Sequence, residues 1–369
     1  MLHRFHGMSN WARLAVAQGN KFIFFMTALL ILLALGIFQT TEAVSFPVQL
    51  THAQAVVPAT PEELAANSTL GFQKILALSS GPSWRTRGLE AAANLTGLDL
   101  SIPPQPKNPD ELMEAFERIG SDDDNTKTPK HGTAKAWMAH LDLLKFVIAS
   151  EYETALIIED DVDWDLELKA QMRLVSQNVR AYTNAHPDDP TPFGTNWDVI
   201  WLGHCGAWVK DDMKAPLVYP DETRIDIEQY SGWSRPYIRE KIPQGHRQVQ
   251  DCLLTVCTFA YGVTKQSAPK VLSLLAIGSG EAFDVMLSTY CSNNLQSCVV
   301  VNPQLFNHYE PPVSEGYLSE VHIGDGLGSP DTNQTSDFDH KKGFTGNIAN
   351  STRCEALFHE TCVRPASDM

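Results

Sequence analysis

An α/β fold is expected for most of this chain, on three observations. Short apolar runs bounded by turn residues recur along it, a helical stripe lies between two of them, and an acidic cluster stands where one run ends. The runs are Lys74–Leu78 (KILAL), Ala155–Ile158 (ALII) and Trp197–Gly203 (WDVIWLG), each of a length suited to a buried strand. Between the first two, Thr133–Ser150 sets Trp137, Leu141, Leu144 and Ile148 on one helical face. Strand, helix and strand in succession imply a sheet with helices packed on it. Glu159, Asp160 and Asp161, with Asp163 and Asp165 beyond, follow the second run at its carboxyl end, the side on which open α/β sheets bind ligands.

Composition agrees with a globular protein and excludes one class of partner. The 369 residues are 43% hydrophobic and 20% charged, with a net charge of −16. So acidic a chain lacks the broad basic footprint that nucleic acid requires. Any phosphate it handles must be met by a few local cations or by a metal ion.

The N-terminus reads as a membrane anchor. Phe22–Phe38 carries no charge over seventeen positions, and as a helix it spans about 26 Å, close to the hydrocarbon thickness of a bilayer. Arg4, Arg13 and Lys21 precede it with no acidic residue, which puts residues 1–20 in the cytosol and the remainder in a lumen, as a type II protein of the Golgi or endoplasmic reticulum membrane. A signal peptide cleaved after Ala43 is the competing reading. Residues 40–70, with Pro47, Pro58 and Pro61, are expected to form a stem. A lumenal address allows disulfides among the seven cysteines: Cys291 with Cys298, Cys354 with Cys362, and Cys252 with Cys257 are the close pairs, leaving Cys205. Sequons at Asn67, Asn94, Asn333 and Asn350 fit the same address.

The ordered domain is expected to run from residue 71 to 323. Arg85 and Arg87 fall on the loop after the first strand, where an arginine fork matches phosphate oxygens, although two solvated surface arginines would look the same. Asp99–Lys130, with the run Asp122–Asp124, reads as loop. His140 lies at the edge of the helical stripe, where a hydrogen-bonded boundary histidine is commoner than a ligand. Cys205–Asp251 loses periodicity and reads as a long binding loop whose aromatic residues, Trp208, Tyr219, Tyr230, Trp233 and Tyr237, would suit a sugar. Leu253–Val263 resumes strand-like composition, Ser267–Ala276 and Glu281–Leu287 are helix-like, and Val299–Tyr309 is a further apolar run that ends beside His308. Residues 324–369 are polar and glycine-rich and are expected to form a partly ordered tail.

Five carboxylates within seven residues are electrostatically poor, since like charges about 4 Å apart repel by roughly 4 kcal/mol at an effective dielectric near 20. Water or a cation must relieve the repulsion, and oxygen ligands suit Mg²⁺ or Mn²⁺. Asp163 and Asp165 are expected in the solvated loop beyond the site.

Several of these pieces, in this order, resemble glycosyltransferase family 25, the lipopolysaccharide and collagen galactosyltransferases, in a fungal-type version. The resemblance covers roughly Lys74 to Ile323 and rests on the first strand with Arg85 and Arg87, Gly132 with His140, LIIEDDV at Leu156–Val162, DVIWLG at Asp198–Gly203, FAYGVTKQSAPKVL at Phe259–Leu272 followed by Asp284, and NPQLF at Asn302–Phe306. It implies a GT-A-like single catalytic domain with a mixed, mostly parallel sheet. The implied reaction is inverting transfer of a hexose, with galactose the expected sugar, from a UDP-sugar to a glycan or glycoprotein acceptor with Mn²⁺ or Mg²⁺. On that basis Asp161 and His308 are the candidate metal ligands, while Arg85, Arg87, His140, Glu159 and Asp160 are candidates to contact the donor. Asp284 is the candidate base, although a carboxylate at a helix start also serves as a cap. Two other readings stand beside it. One is a membrane-tethered carbohydrate-binding or inactive transferase-like protein. The other is a haloacid-dehalogenase-like phosphatase built on Asp161 and Asp163.

Overall fold

The computed structural model describes residues 59–121, 128–322 and 338–362. The stretch Phe22–Phe38, the run Asp122–Asp124 and the sequon at Asn333 lie outside the described residues; among those described, no helix is long and apolar enough to cross a membrane.

In chain order the elements begin with helix α1 (Pro61–Ala65), strand β1 (Lys74–Leu78), helix α2 (Trp84–Thr96), strand β2 (Leu100–Ser101), and helices α3 (Asp110–Phe116) and α4 (His131–Ala149). Strands β3 (Thr154–Glu159) and β4 (Val162–Trp164) lead into helix α5 (Leu168–Tyr182), strands β5 (Val199–Gly203) and β6 (Leu217–Pro220), helix α6 (Arg235–Lys241), and strands β7 (His246–Asp251) and β8 (Ala260–Thr264). The rest is helix α7 (Ser267–Leu275), helix α8 (Phe283–Ser292), strands β9 (Cys298–Asn302), β10 (Phe306–Glu310) and β11 (Phe344–Thr345), and helix α9 (Thr352–Phe358).

The central sheet runs β2-β1-β3-β8-β5-β9-β7-β6. Strands β2, β1 and β3 pair in parallel, as do β5 and β9, while β8 is antiparallel to both of its neighbours, β3 and β5. All of these except β8 therefore share one direction, and the sheet is mixed and mostly parallel, as expected. Its strands alternate between two cores. Leu156 and Ile158 of β3 face α1, α2 and α5, whereas Ala155 and Ile157 face α4, α7 and α8. Burial on both faces is why these strands read as continuous apolar runs.

Several boundaries differ from the sequence expectation. Thr60 and Glu63 form a capping box on α1, and Ala65 and Leu70 are buried, so the end of the expected stem belongs to the globule. Asp99–Lys130 holds β2 and α3, and the region between Cys205 and Asp251 holds β6, α6 and β7. Tyr219, Tyr230 and Tyr237 are core residues there, leaving Trp233 as the exposed aromatic. The strand-like stretch at Leu253 begins as a loop, and Val299–Tyr309 divides at Pro303 into β9 and β10.

The expected tail departs most. Thr345 of β11 pairs with Tyr309 of β10, and α9 packs on α2 where Gly88 leaves room: a Cβ there would lie 2.3 Å from the Arg353 guanidinium. Asp163 and Asp165, expected in solvent, are buried and hold this segment. Asp163 accepts hydrogen bonds from the Thr345 hydroxyl (2.6 Å), the Ser351 hydroxyl and the Arg353 N–H (2.9 Å), and Asp165 accepts one from the Asn350 N–H (2.8 Å). The disulfides are Cys205–Cys257, Cys291–Cys298 and Cys354–Cys362. Cys252 is a free, buried thiol, because Cys257, its near neighbour in sequence, bonds across to Cys205 after β5.

Candidate functional site

The site forms where β1 and β3, paired in parallel with Leu78 opposite Glu159, reach their carboxyl ends. Glu159 closes β3, Asp160 and Asp161 make the turn, and β4 then pairs with β10, setting Val162 opposite His308. A hydrogen bond from Tyr309 N to Asp161 O (2.8 Å) ties the turn to the His308 strand. Nearby, Ser79 after β1 bonds to Asp160.

Arg85 and Arg87 lie in the first turn of α2, not on a loop; Ser83 caps the helix by accepting from Arg85 N (3.1 Å). Arg85 is buried, with Nε 3.6 Å from Asp161 Oδ2, and it also pairs with Glu320. Burial opposes its charge, but Asp161, Glu320, Tyr317 and Asp160 outweigh that and hold it above its already high value. Arg87 turns away: its Nε donates to Asp339 (2.7 Å), and its side chain is half exposed.

Glu159 and Asp160 both hold their protons more tightly than a free carboxyl. Burial, reinforced by Asp161, pushes Glu159 up to about 8, and the same two causes push Asp160 up to about 7. A cation bound nearby would favour the charged forms of both groups. Thr258 links Glu159 to His140, its hydroxyl 3.2 Å from Glu159 Oε1 and 3.1 Å from His140 Nε2. His140 is buried at 2% exposure, lies 3.2 Å from the Tyr261 hydroxyl through Nδ1, and stacks on Phe283 at 4.4 Å. Burial lowers it to about 3, so it is a neutral residue supporting Glu159 from behind, not one at the edge of the helix.

Besides Arg85 Nε, two buried polar atoms here lack hydrogen-bond partners, Asp161 Oδ1 and His308 Nδ1. They lie on adjoining chain segments joined by the Tyr309–Asp161 bond. The other ring nitrogen of His308 contacts Glu310; burial opposes protonation of His308, but Glu310, Asp161 and Glu159 raise its pKa. Among the described residues no group of three or more His, Cys, Asp or Glu side chains is arranged to hold an ion alone. One carboxylate and one imidazole do fit an ion that takes its remaining ligands from substrate phosphates and water.

Asp284 stands in the first turn of α8, where Oδ2 accepts from Cys257 N (2.5 Å). It is near enough to Glu159 to raise that group's pKa. Cys257 is bonded to Cys205, and the residue after Cys205, Gly206, packs against Trp233 with room only for a hydrogen: a Cβ would lie 2.7 Å from the indole. The structure thus brings together Arg85, His140, Glu159, Asp160, Asp161, His308 and Asp284, and leaves Arg87 outside. It separates Asp161 from Asp163, whose carboxylate is consumed by the C-terminal segment, so a phosphatase pair is not formed. Sequence reasoning missed Thr258, Tyr261 and Glu320. Thr258 and Tyr261 flank the start of β8 and carried a signal in their nearness to the motif that begins at Phe259; Glu320 carried none.

No family model and no curated protein matches the sequence. Among solved structures, A197 from STIV is 10% identical with a TM-score of 0.29, over 67% of this chain and 85% of that one. Mannose-1-phosphate geranyltransferase from Thermus thermophilus is 11% identical with a TM-score of 0.25, over 68% of this chain and 66% of that one. Likenesses this weak bear on neither family nor function.

Proposed function

We propose that this protein is a GT-A-like glycosyltransferase that moves a hexose, with galactose the expected sugar, from a UDP-sugar to a glycan or glycoprotein acceptor with inversion, using Mn²⁺ or Mg²⁺, in the lumen of the Golgi or endoplasmic reticulum. The observation that carries this is the meeting of Asp161, with its unpartnered buried Oδ1, with Arg85 and His308 at the carboxyl ends of two parallel strands. Asp161 and His308 are the residues that would hold the ion. A divalent cation there neutralises charge on the leaving nucleoside diphosphate.

The chain's own residues have separable parts in this reading. Arg85 supplies a fixed, buried cation for phosphate oxygens. Glu159 and Asp160 contact the nucleotide, and Glu159 is oriented by Thr258 and His140. Asp284 is the base. Its Oδ2 is held by Cys257 N, which leaves Oδ1 to take the proton of the acceptor hydroxyl. Trp233, 44% exposed and stacked with Trp208, offers the acceptor an apolar ring.

The test is turnover by the full chain on a panel of UDP- and GDP-hexoses with and without Mn²⁺ or Mg²⁺. Hydrolysis or transfer is expected only with the metal and a UDP-sugar, and Asp161→Asn should lower it roughly 100-fold or more. A panel with neither turnover nor metal-dependent binding would hand the protein to the tethered-binder reading.

A further inference from the structure

Beyond β10 the chain passes back over the site, and Glu320 ends on two cations from different helices. Its carboxylate pairs with Arg85 Nη1 of α2, and its other oxygen lies 3.4 Å from Lys135 Nζ of α4. Gly132 gives the segment its seat: a Cβ at that position would lie 2.4 Å from Glu320 O and 2.6 Å from Val321 O. Tyr317 of the same segment meets Trp84 edge-on at 6.0 Å.

This differs from an ordinary surface ion pair in one respect. The Arg85 side chain is 8% exposed, and its Nε, with no hydrogen-bond partner, stands on the side of Asp161. That Nε faces the Asp161 carboxylate, so an incoming anion would be met on the Nη side of the guanidinium, where Glu320 now sits. A carboxylate bridging an arginine and a lysine occupies the position that a phosphate oxygen would take between the same two groups. Glu320 cannot share those cations with a diphosphate, because the neighbourhood already carries Asp160 and Asp161.

We propose that Glu320 is an internal stand-in for phosphate: it pairs with Arg85 and Lys135 in the donor-free protein and gives way when a nucleoside diphosphate binds the same two cations. Lys135 thereby becomes a donor-binding residue, and the segment carrying Glu320 moves off Trp84 as the donor enters. The proposal rests on the donor-binding reading above.

Calorimetric titration of the full chain at fixed pH with Mn²⁺ plus inorganic diphosphate, and separately with Mn²⁺ plus UDP, tests it. Glu320→Gln should tighten both by about tenfold, Lys135→Met should weaken both by a similar factor, and tryptophan fluorescence should change on binding. Equal melting temperatures would establish that both variants fold. Unchanged or weaker binding by Glu320→Gln overturns the exchange, as does the absence of diphosphate binding by either protein. If inorganic diphosphate responds as expected while UDP binds no better, the exchange stands and the nucleotide-sugar reading falls. If UDP binds tightly but is insensitive to Glu320→Gln, the reverse holds.

Discussion

Removing the Asp163 carboxylate tests whether the C-terminal segment is part of the domain. Asp163 is fully buried and accepts from Thr345 Oγ1, Ser351 Oγ, Arg353 N and, through its own turn, Trp164 N (2.8 Å). Burial pushes its pKa up while these donors pull it back, so part of their strength offsets desolvation. Hydrogen bonds to a charged group contribute about 1.5–3 kcal/mol each, but they are not additive around one carboxylate, and removing one partner of a buried charged network costs about 3–5 kcal/mol. Asp163→Ala also leaves Arg353, fully buried, without its principal counter-charge. We expect a loss of about 4 kcal/mol, or roughly 8 °C in melting temperature for a domain of this size. Asp163→Asn keeps an oxygen for the two N–H donors and should lose about half as much. Urea unfolding of the full chain, followed by tryptophan fluorescence, measures both. A loss below about 1 kcal/mol for Asp163→Ala would refute the clamp.

Three other outcomes follow from the same geometry. Asp284→Asn should abolish hexose transfer while UDP binding and folding persist, since the amide oxygen can still accept from Cys257 N; joint loss of binding and folding would mark a purely structural cap. Cys252 should resist alkylation in the native protein, because it is buried and burial raises its thiol pKa, and unfolding without reductant should release one reactive thiol per chain by mass spectrometry. His204 is buried, 3.0 Å from Val301 O through Nε2, and burial lowers it from 6.5 to about 4. The unfolded chain binds that proton first, so stability falls as pH drops from 6.5 to about 4, by on the order of 3 kcal/mol from this residue. His204→Gln should flatten that limb, and an unaltered pH dependence would remove His204 as its cause.

What was legible in the sequence was what hydropathy records. β1, β3 and β5 are buried on both faces and contain almost nothing polar, so their runs stood out. β7 did not, because three of its four buried residues, Arg247, Gln248 and Gln250, are polar, the two glutamines being satisfied by each other, by the Tyr237 hydroxyl and by the Trp208 carbonyl. Pairings over long separations were equally silent. Cys257 bonds to a cysteine 52 residues away in preference to one five residues away, and nothing local distinguishes the two. Arg85 and Arg87 looked equivalent as loop residues. Two positions on a helix are about 200° apart, so once α2 begins at Trp84 only one of them can face the acidic turn.

Arg353 explains why the site and the C-terminal segment cannot be separated. Its backbone N–H is held by Asp163, while its guanidinium donates to the carbonyls of Trp84 (3.0 Å) and Arg85 (3.1 Å). That guanidinium also feels Asp161 and Asp160 after Asp163, and it lies over the rings of Trp84 and Tyr309 at 5.2 and 4.9 Å. One buried cation therefore touches the backbone that presents Arg85, flanks the strand that presents His308, and balances the carboxylates of the candidate metal site. The two aspartates beyond the acidic turn, which resemble surplus charge in the sequence, anchor the segment that delivers this cation. A chain ended before Phe338 would lose the anchor and the cation together, so the packed domain extends through Cys362 and not only to Ile323.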